Sequence, residues 1–191
     1  MCAIVLRVTR LLIGTNNPGK QLEYEQLLAQ LNVELLTPQD FQLCTTVHED
    51  SKLWYVHIRI KALTYQAQAS GVMTLADDSG LEVDALGGEP GLHSARYAGN
   101  GACDADRCQL LLGRLSRVPW EERTARFRCT IALVTPVGGS YWAEGTCEGM
   151  IASEPRGSQG FGYDPIFYLP QYDQTMAQLP FHVKNRISHR G

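Results

Sequence analysis

Long apolar runs are missing from this 191-residue chain. Its most apolar stretch, the opening MCAIVLRVTRLLIG, is broken by Arg7 and Arg10 and carries no small-residue cleavage site. It therefore reads as neither a membrane span nor a signal peptide, and a cytoplasmic protein without membrane association is expected. A surplus of positive charge is missing as well: 17 Lys and Arg stand against 20 Asp and Glu, for a formal net charge of −3. No basic field exists to hold a nucleic-acid backbone, so nucleic acid is not expected as a partner and any polyanionic ligand must be gripped locally. The six cysteines include no C-x-x-C pair and the five histidines show no ligand spacing. Disulfides and a zinc site are thereby disfavoured, and reduced thiols are expected. Repeats, low-complexity tracts and flexible linkers are also absent. The length suits a single domain of two lobes over residues 1–191, with residues 1–10 as an N-terminal extension.

What is present is an alternation of strand and helix signals. LLIGT is short and β-compatible, a turn follows, and Leu22, Leu27, Leu28 and Leu31 then recur at helical spacing. NVELL (32–36) reads as a second strand. WYVHIRI alternates like a strand, whereas RIKALTYQAQA favours helix by propensity and ends at a Gly, so a helix is expected from about residue 52. GVMTLADDSG (71–80) reads as a strand that delivers Asp77 and Asp78 at its end, where α/β proteins usually bind ligands. In DADRCQLLLGRLS (104–116), Asp104 is placed to cap a helix whose apolar face is Leu110, Leu111 and Leu115. ARFRCTIALVTP and YWAEGTCEGMI, joined by VGGS, have the pattern of an antiparallel hairpin. SEPRGSQGFGYDP is too rich in turn formers to be an element.

Three segments bear on chemistry. In LLIGTNNPGKQ, Gly14, Gly19 and Lys20 have the G-x-x-x-x-G-K spacing of a phosphate-cradling P-loop, but Gln21 stands where that loop needs a Mg²⁺-binding hydroxyl. A P-loop NTPase and a plain strand-to-helix turn both remain open on this segment alone. Exposed amides at a helix start plus one lysine make a phosphate site under either functional reading. The Asp77–Asp78 pair is the clearest acidic site: adjacent strand residues face opposite ways, so one carboxylate can face a ligand while the other braces the loop. Carboxylates also suit Mg²⁺, and Glu49–Asp50 can add a second ligand. Lys184, Arg186, His189 and Arg190 gather donors near the C-terminus.

Four blocks occur in order: TNNPGK (15–20), LADDSGLEVDALGGEPGLHSARYAG (75–99), GFGYDPIF (160–167) and ISHRG (187–191). Together they resemble the noncanonical purine nucleoside triphosphate pyrophosphatases, the inosine triphosphate or XTP/dITP pyrophosphatase family, over residues 11 to 191. The resemblance implies an α/β fold with an elongated mixed central sheet in two lobes flanked by helices, an active-site cleft between the lobes, and a homodimer. It implies Mg²⁺-dependent hydrolysis of ITP, dITP and XTP to the nucleoside monophosphate and pyrophosphate, which cleanses the nucleotide pool. A catalytically weakened nucleotide-binding module is the alternative.

By the same resemblance, Thr15, Asn16, Asn17, Pro18, Gly19 and Lys20 form the phosphate loop, and Asp78 is the proton acceptor and a metal ligand. Asp77 supports it, Glu49 is the second metal ligand, and Ser79 lies beside the phosphates. Phe161, Gly162, Tyr163 and Asp164 form the nucleoside-binding segment, and Lys184, His189 and Arg190 read the purine. That donor set suits hypoxanthine and xanthine, whose 6-keto oxygen accepts where the adenine amino group donates; each unmet buried donor costs about 1–3 kcal/mol. The chain departs from the family at Val56 and His57, where members carry Glu and Asn, and at His182–Val183, where acidic residues are common. Members also continue beyond the position of Gly191 into a C-terminal helix, without which an apolar face is expected to be uncovered.

Overall fold

A computed structural model describes residues 8–43, 54–69 and 71–191 of the chain. It contains a mixed seven-stranded sheet in the order β2-β1-β3-β4-β5-β6-β7, formed by Thr9–Ile13 (β1), Val33–Leu36 (β2), Met73–Val83 (β3), Thr124–Val134 (β4), Ser140–Ile151 (β5), Phe167–Leu169 (β6) and Gln174–Thr175 (β7). The helices are Pro18–Leu27 (α1), Trp54–Gln68 (α2), Asp104–Arg114 (α3) and Phe181–Ile187 (α4). β1 pairs in parallel with β2 and β3, whereas β5–β6 and β6–β7 are antiparallel. The expected α/β class with a mixed sheet is thus found. The chain divides into two compact units, Met1–Asp78 with Thr130–Ala143, and Ser79–Cys129 with Glu144–Gly191.

In the first unit the strands are apolar on both faces, as a covered parallel arrangement requires. Tyr24 and the half-buried Leu28 pack with Leu11, Ile13, Leu35, Met73, Leu75, Ile131 and Leu133 on one face. Ile58, Ala62, Tyr65 and Ala69 of the α2 region pack with Leu12, Leu36, Ala76, Ala132 and Val134 on the other. The leucine stripe expected for α1 is not the buried face: Leu22 and Leu31 are exposed, and Glu23 and Tyr24 turn inward instead. The broad Tyr24 ring covers Leu11 and Ile13, a contact that leucine spacing alone does not encode.

The second unit has one covered face and one wet face. Leu81, Val83, Ala125, Phe127, Cys147, Ile151, Phe167 and Leu169 pack with Cys108, Leu111 and Leu115 of the α3 region. Along the alternate positions Arg126 pairs with Asp84 at 2.9 Å and Glu148 at 3.1 Å, and Arg128 pairs with Glu82 at 3.5 Å. That alternation is the period-2 signature of a half-buried sheet. Three expectations need correction here. Asp77 and Asp78 lie within β3 rather than at its end, because Leu81 and Val83 carry the strand on into this core. Cys103, not Asp104, is the residue before α3, and the Asp106 carboxylate accepts the Cys103 N–H at 2.8 Å. Leu110 is exposed, and Cys108 takes its place on the buried face. The turn-rich 152–163 segment has no regular structure apart from bends and turns, as expected, but the short strands β6 and β7 and the helix α4 carried no clear sequence signal.

Candidate active site

Register positions the first group of residues. Ile13 lies opposite Leu75, and Gly14 donates its N–H to the Leu75 carbonyl at 2.7 Å, so the loop leaving β1 runs beside Ala76–Asp78. Asn17 caps α1: its Oδ1 accepts the Lys20 N–H at 3.1 Å, and Pro18 opens the helix where its missing N–H costs nothing. Thr15 is buried, with its Oγ1 accepting the Asn17 N–H at 3.2 Å. Gln21 donates its side-chain amide to the Thr15 carbonyl at 2.8 Å, so the residue that breaks the P-loop pattern braces the turn. Asn16 is exposed, and its amide lies 3.4 Å from the Tyr65 hydroxyl. The loop is therefore held by its own side chains, and α1 directs its N-terminal amides and positive dipole end at it.

Lys20 reaches from the first turn of α1 to Oδ2 of Asp77 at 3.0 Å, and Asp77 is fully buried. A second lysine, Lys61 of α2, donates to the main-chain carbonyl of Asp77 at 2.8 Å. Asp78, the next residue, is only half-buried. The two carboxylates thus differ in burial: Asp77 is enclosed and paired with an ammonium, whereas Asp78 is half-buried. Glu49 falls outside the described residues. Among the described residues no group of three or more His, Cys, Asp and Glu side chains is placed to hold a metal ion.

The second group lies in the other unit. Lys184, on α4, is buried and forms an ion pair with the buried Asp164, which also accepts the Phe161 N–H at 2.8 Å. Gly160 makes this fit possible, because a β-carbon there would overlap the Asp164 carboxylate, and its φ of +77° suits glycine. Phe161 is half-buried, with the Lys184 ammonium 5.1 Å and the Arg190 guanidinium 5.8 Å from its ring centre. Arg190 donates to Ser79 Oγ at 2.9 Å. The His189 ring stacks on Phe127 at 4.9 Å. Gly145 admits the C-terminal strap, since any side chain there would strike the His189 carbonyl. Tyr163 is buried, and its hydroxyl donates to the Ser94 carbonyl at 2.9 Å; burial pushes its pKa well above the usual tyrosine value. The half-buried Phe161 ring thus carries two cations over it, while the neighbouring Tyr163 and Asp164 are buried.

A family model, that of the Ham1 family, matches residues 11–191. The chain belongs to the Ham1 family. Among curated relatives it is 47% identical over 184 residues to a dITP/XTP pyrophosphatase of Geobacter sulfurreducens, covering 96% of this chain and 92% of the relative. It is 46% identical over 187 residues to the dITP/XTP pyrophosphatase of Thermus thermophilus, covering 98% and 89%. Among solved structures, the Ham1 protein of Coxiella burnetii superposes with a TM-score of 0.83 at 39% identity over 96% of this chain and 93% of that one. The Staphylococcus aureus Ham1 protein gives 0.81 at 37% identity over 95% and 92%. In this Ham1-family chain the supporting contacts that sequence reading did not foresee are those of Gln21, Asp104 and Arg107. Gln21 was visible only as a mismatch, and Asp104 looked like a cap because nothing local reveals a partner 58 residues away.

Proposed function

We propose that this chain hydrolyses dITP, XTP and ITP to the nucleoside monophosphate and pyrophosphate, in keeping with curated relatives named dITP/XTP pyrophosphatase. The observation that carries the reading is the half-buried Phe161 ring flanked by Lys184 and Arg190. An aromatic face offers stacking to a purine, and two cationic donors beside it suit a 6-keto acceptor and leave a 6-amino donor unmet.

The triphosphate is assigned to Thr15 through Lys20, where helix-terminal amides and the Lys20 ammonium oppose its charge. Mg²⁺ is the proposed cofactor, with Asp78 and Glu49 as its ligands. The donor chemistry fits, since Mg²⁺ takes one or two carboxylates and completes its shell with water and phosphate oxygens. When bound, the ion supplies charge neutralisation and acidifies water. Asp78, half-exposed where Asp77 is enclosed, is the proton acceptor for the attacking water. The water oxygen forms a bond to the α-phosphorus, the α–β bridging bond breaks, and pyrophosphate leaves with the developing charge opposed by Lys20 and the loop amides.

A cytoplasmic homodimer is part of the same reading. Among the described residues no helix is long and apolar enough to cross a membrane, and Val137, Tyr141 and Trp142 stand exposed around the β4–β5 turn, apolar area of the kind a second copy covers. Light scattering is expected to give twice the chain mass, and a monomer would remove that part. For the activity, the chain is incubated with ITP, XTP, dITP, GTP or ATP plus Mg²⁺. Pyrophosphate from XTP and dITP but not from ATP is the expected result. Orthophosphate would point to a P-loop NTPase, and tight binding without product to a nucleotide-binding module weakened by Val56 and His57.

A further inference from the structure

Both main-chain polar groups of Gly162 are bound by the first turns of α3. The Gly162 N–H donates to Asp104 Oδ2 at 2.6 Å, and the Gly162 carbonyl accepts from the Cys108 thiol at 3.4 Å. Asp104 sits at the first position of α3, where the helix dipole favours a carboxylate. Its other oxygen is taken by Arg107, and the Arg107 guanidinium also donates to the carbonyls of Ala95, at 3.1 Å, and Ala102, at 2.6 Å. Arg107 is therefore fixed at three points, and it fixes Asp104. The fork geometry of a guanidinium makes such a clamp stiff. Burial pushes the Cys108 thiol up to about 12, so it stays an S–H donor at any physiological pH. None of these contacts is needed to form α3, whose buried face is Cys108, Leu111 and Leu115.

The contact matters because of its neighbours. Phe161 precedes Gly162 directly, and Asp164, which holds both the Phe161 N–H and Lys184, is two residues further on. Gly162 has a φ of +63° and no atom within 4 Å of where a β-carbon would sit, so nothing packs against it from that side. The hydrogen bond from its amide to Asp104, with the weaker Cys108 contact to its carbonyl, pins the middle of the segment. We propose that Asp104, held by Arg107, is a positioning residue for base selection: it locks the Gly162 amide and so fixes the Phe161 ring and Lys184 in the geometry that reads the purine. This rests on the assignment of that segment to the base, and it adds a residue on a different element that touches neither substrate nor metal.

The full-length chain and its Asp104→Ala variant are compared by two readouts. Amide hydrogen exchange of the peptide containing Gly162 is expected to speed up about tenfold, the effect of losing one hydrogen bond to a charged acceptor, while peptides from β3 and β4 exchange as in the wild type. In steady-state pyrophosphate release, KM for XTP is expected to rise about tenfold with kcat changed by less than about twofold, and the preference for XTP over ATP to fall. Asp104→Asn keeps an acceptor for Gly162 but loses the Arg107 ion pair, and is expected to fall between the two. If Asp104→Ala does not fold, Asp104→Asn decides by the same readouts. Wild-type exchange at Gly162 would overturn the proposal, and so would faster exchange with an unaltered XTP-over-ATP preference. A wild-type chain that releases no pyrophosphate from XTP or dITP would overturn the proposed function and with it the role in selection, while the exchange arm would still decide whether Asp104 holds Gly162.

Discussion

The Lys20 ammonium lies 3.0 Å from Oδ2 of Asp77, a carboxyl with no exposure to solvent. An ammonium carries three donors, so this pair orients Lys20 toward the Thr15–Lys20 loop without exhausting it. Lys20→Met removes the ammonium that pairs with the buried Asp77 carboxylate and is expected to cost about 1.5–3 kcal/mol in urea unfolding, the worth of a hydrogen bond to a charged group, along with most of the turnover. Adding Asp77→Asn removes the buried charge, so the double variant is expected to regain part of the stability and none of the activity. Equal recovery of both would mean that Lys20 serves the fold alone.

Asp78 differs from Asp77 in exposure, and the proposed proton acceptor is the more exposed of the two. Asp78→Asn keeps the shape and removes that acceptor. Pyrophosphate release is expected to fall at least about a hundredfold, while XTP binding stays measurable by calorimetry. Turnover near that of the wild type would place the base elsewhere.

The local rules were legible in the sequence wherever a residue's role depends on its neighbours in the chain. The leucine spacing after the TNNPG turn marks α1, although the helix takes in Pro18 and Gly19 of that turn, and the alternation through Phe127 and Cys129 marks β4 where it was expected. What failed depends on contacts far along the chain. Asp77 was expected at a strand end, yet Leu81 and Val83 pack in the second core and draw β3 onward. Asp104 looked like a cap, but its partners are Arg107 and a glycine amide 58 residues away. Lys184 and Arg190 stood out to local reading only as donors gathered near the C-terminus. Only the buried Asp164 and the Ser79 hydroxyl reveal why they are enclosed.

Phe161 lies outside the buried cluster of the second unit, so its ring can be removed without opening the core. Phe161→Leu is expected to leave the melting temperature within a few degrees of the wild type. Losing a base-stacking face is worth about 1–3 kcal/mol, so KM for XTP is expected to rise between about fivefold and 150-fold. A KM that stays put would mean that the ring does not meet the base.

Alkaline pH offers a test of the second core that needs no substrate. Burial raises the Cys108 thiol to about 12 and the Cys147 thiol to about 11, from an ordinary value of 9.0. For Cys147 the neighbouring Glu148 and Asp164 carboxylates add to the shift, and Tyr163 is pushed up from 10.0 by burial. Each group is neutral when folded at a pH where it has already ionised when unfolded, so the unfolded chain binds fewer protons there and stability falls as pH rises. The decline is expected to begin near pH 9.0, where the unfolded thiols titrate, and to steepen beyond pH 10.0 as the unfolded Tyr163 joins them. Urea midpoints measured from about pH 8 to about pH 10.5 follow it, and Cys147→Ala, which removes one of the three protons, is expected to flatten the curve. A midpoint that stays level across this range would show that water reaches these side chains and that the core around Cys108 and Tyr163, on which the 161–164 segment rests, is looser than its packing implies.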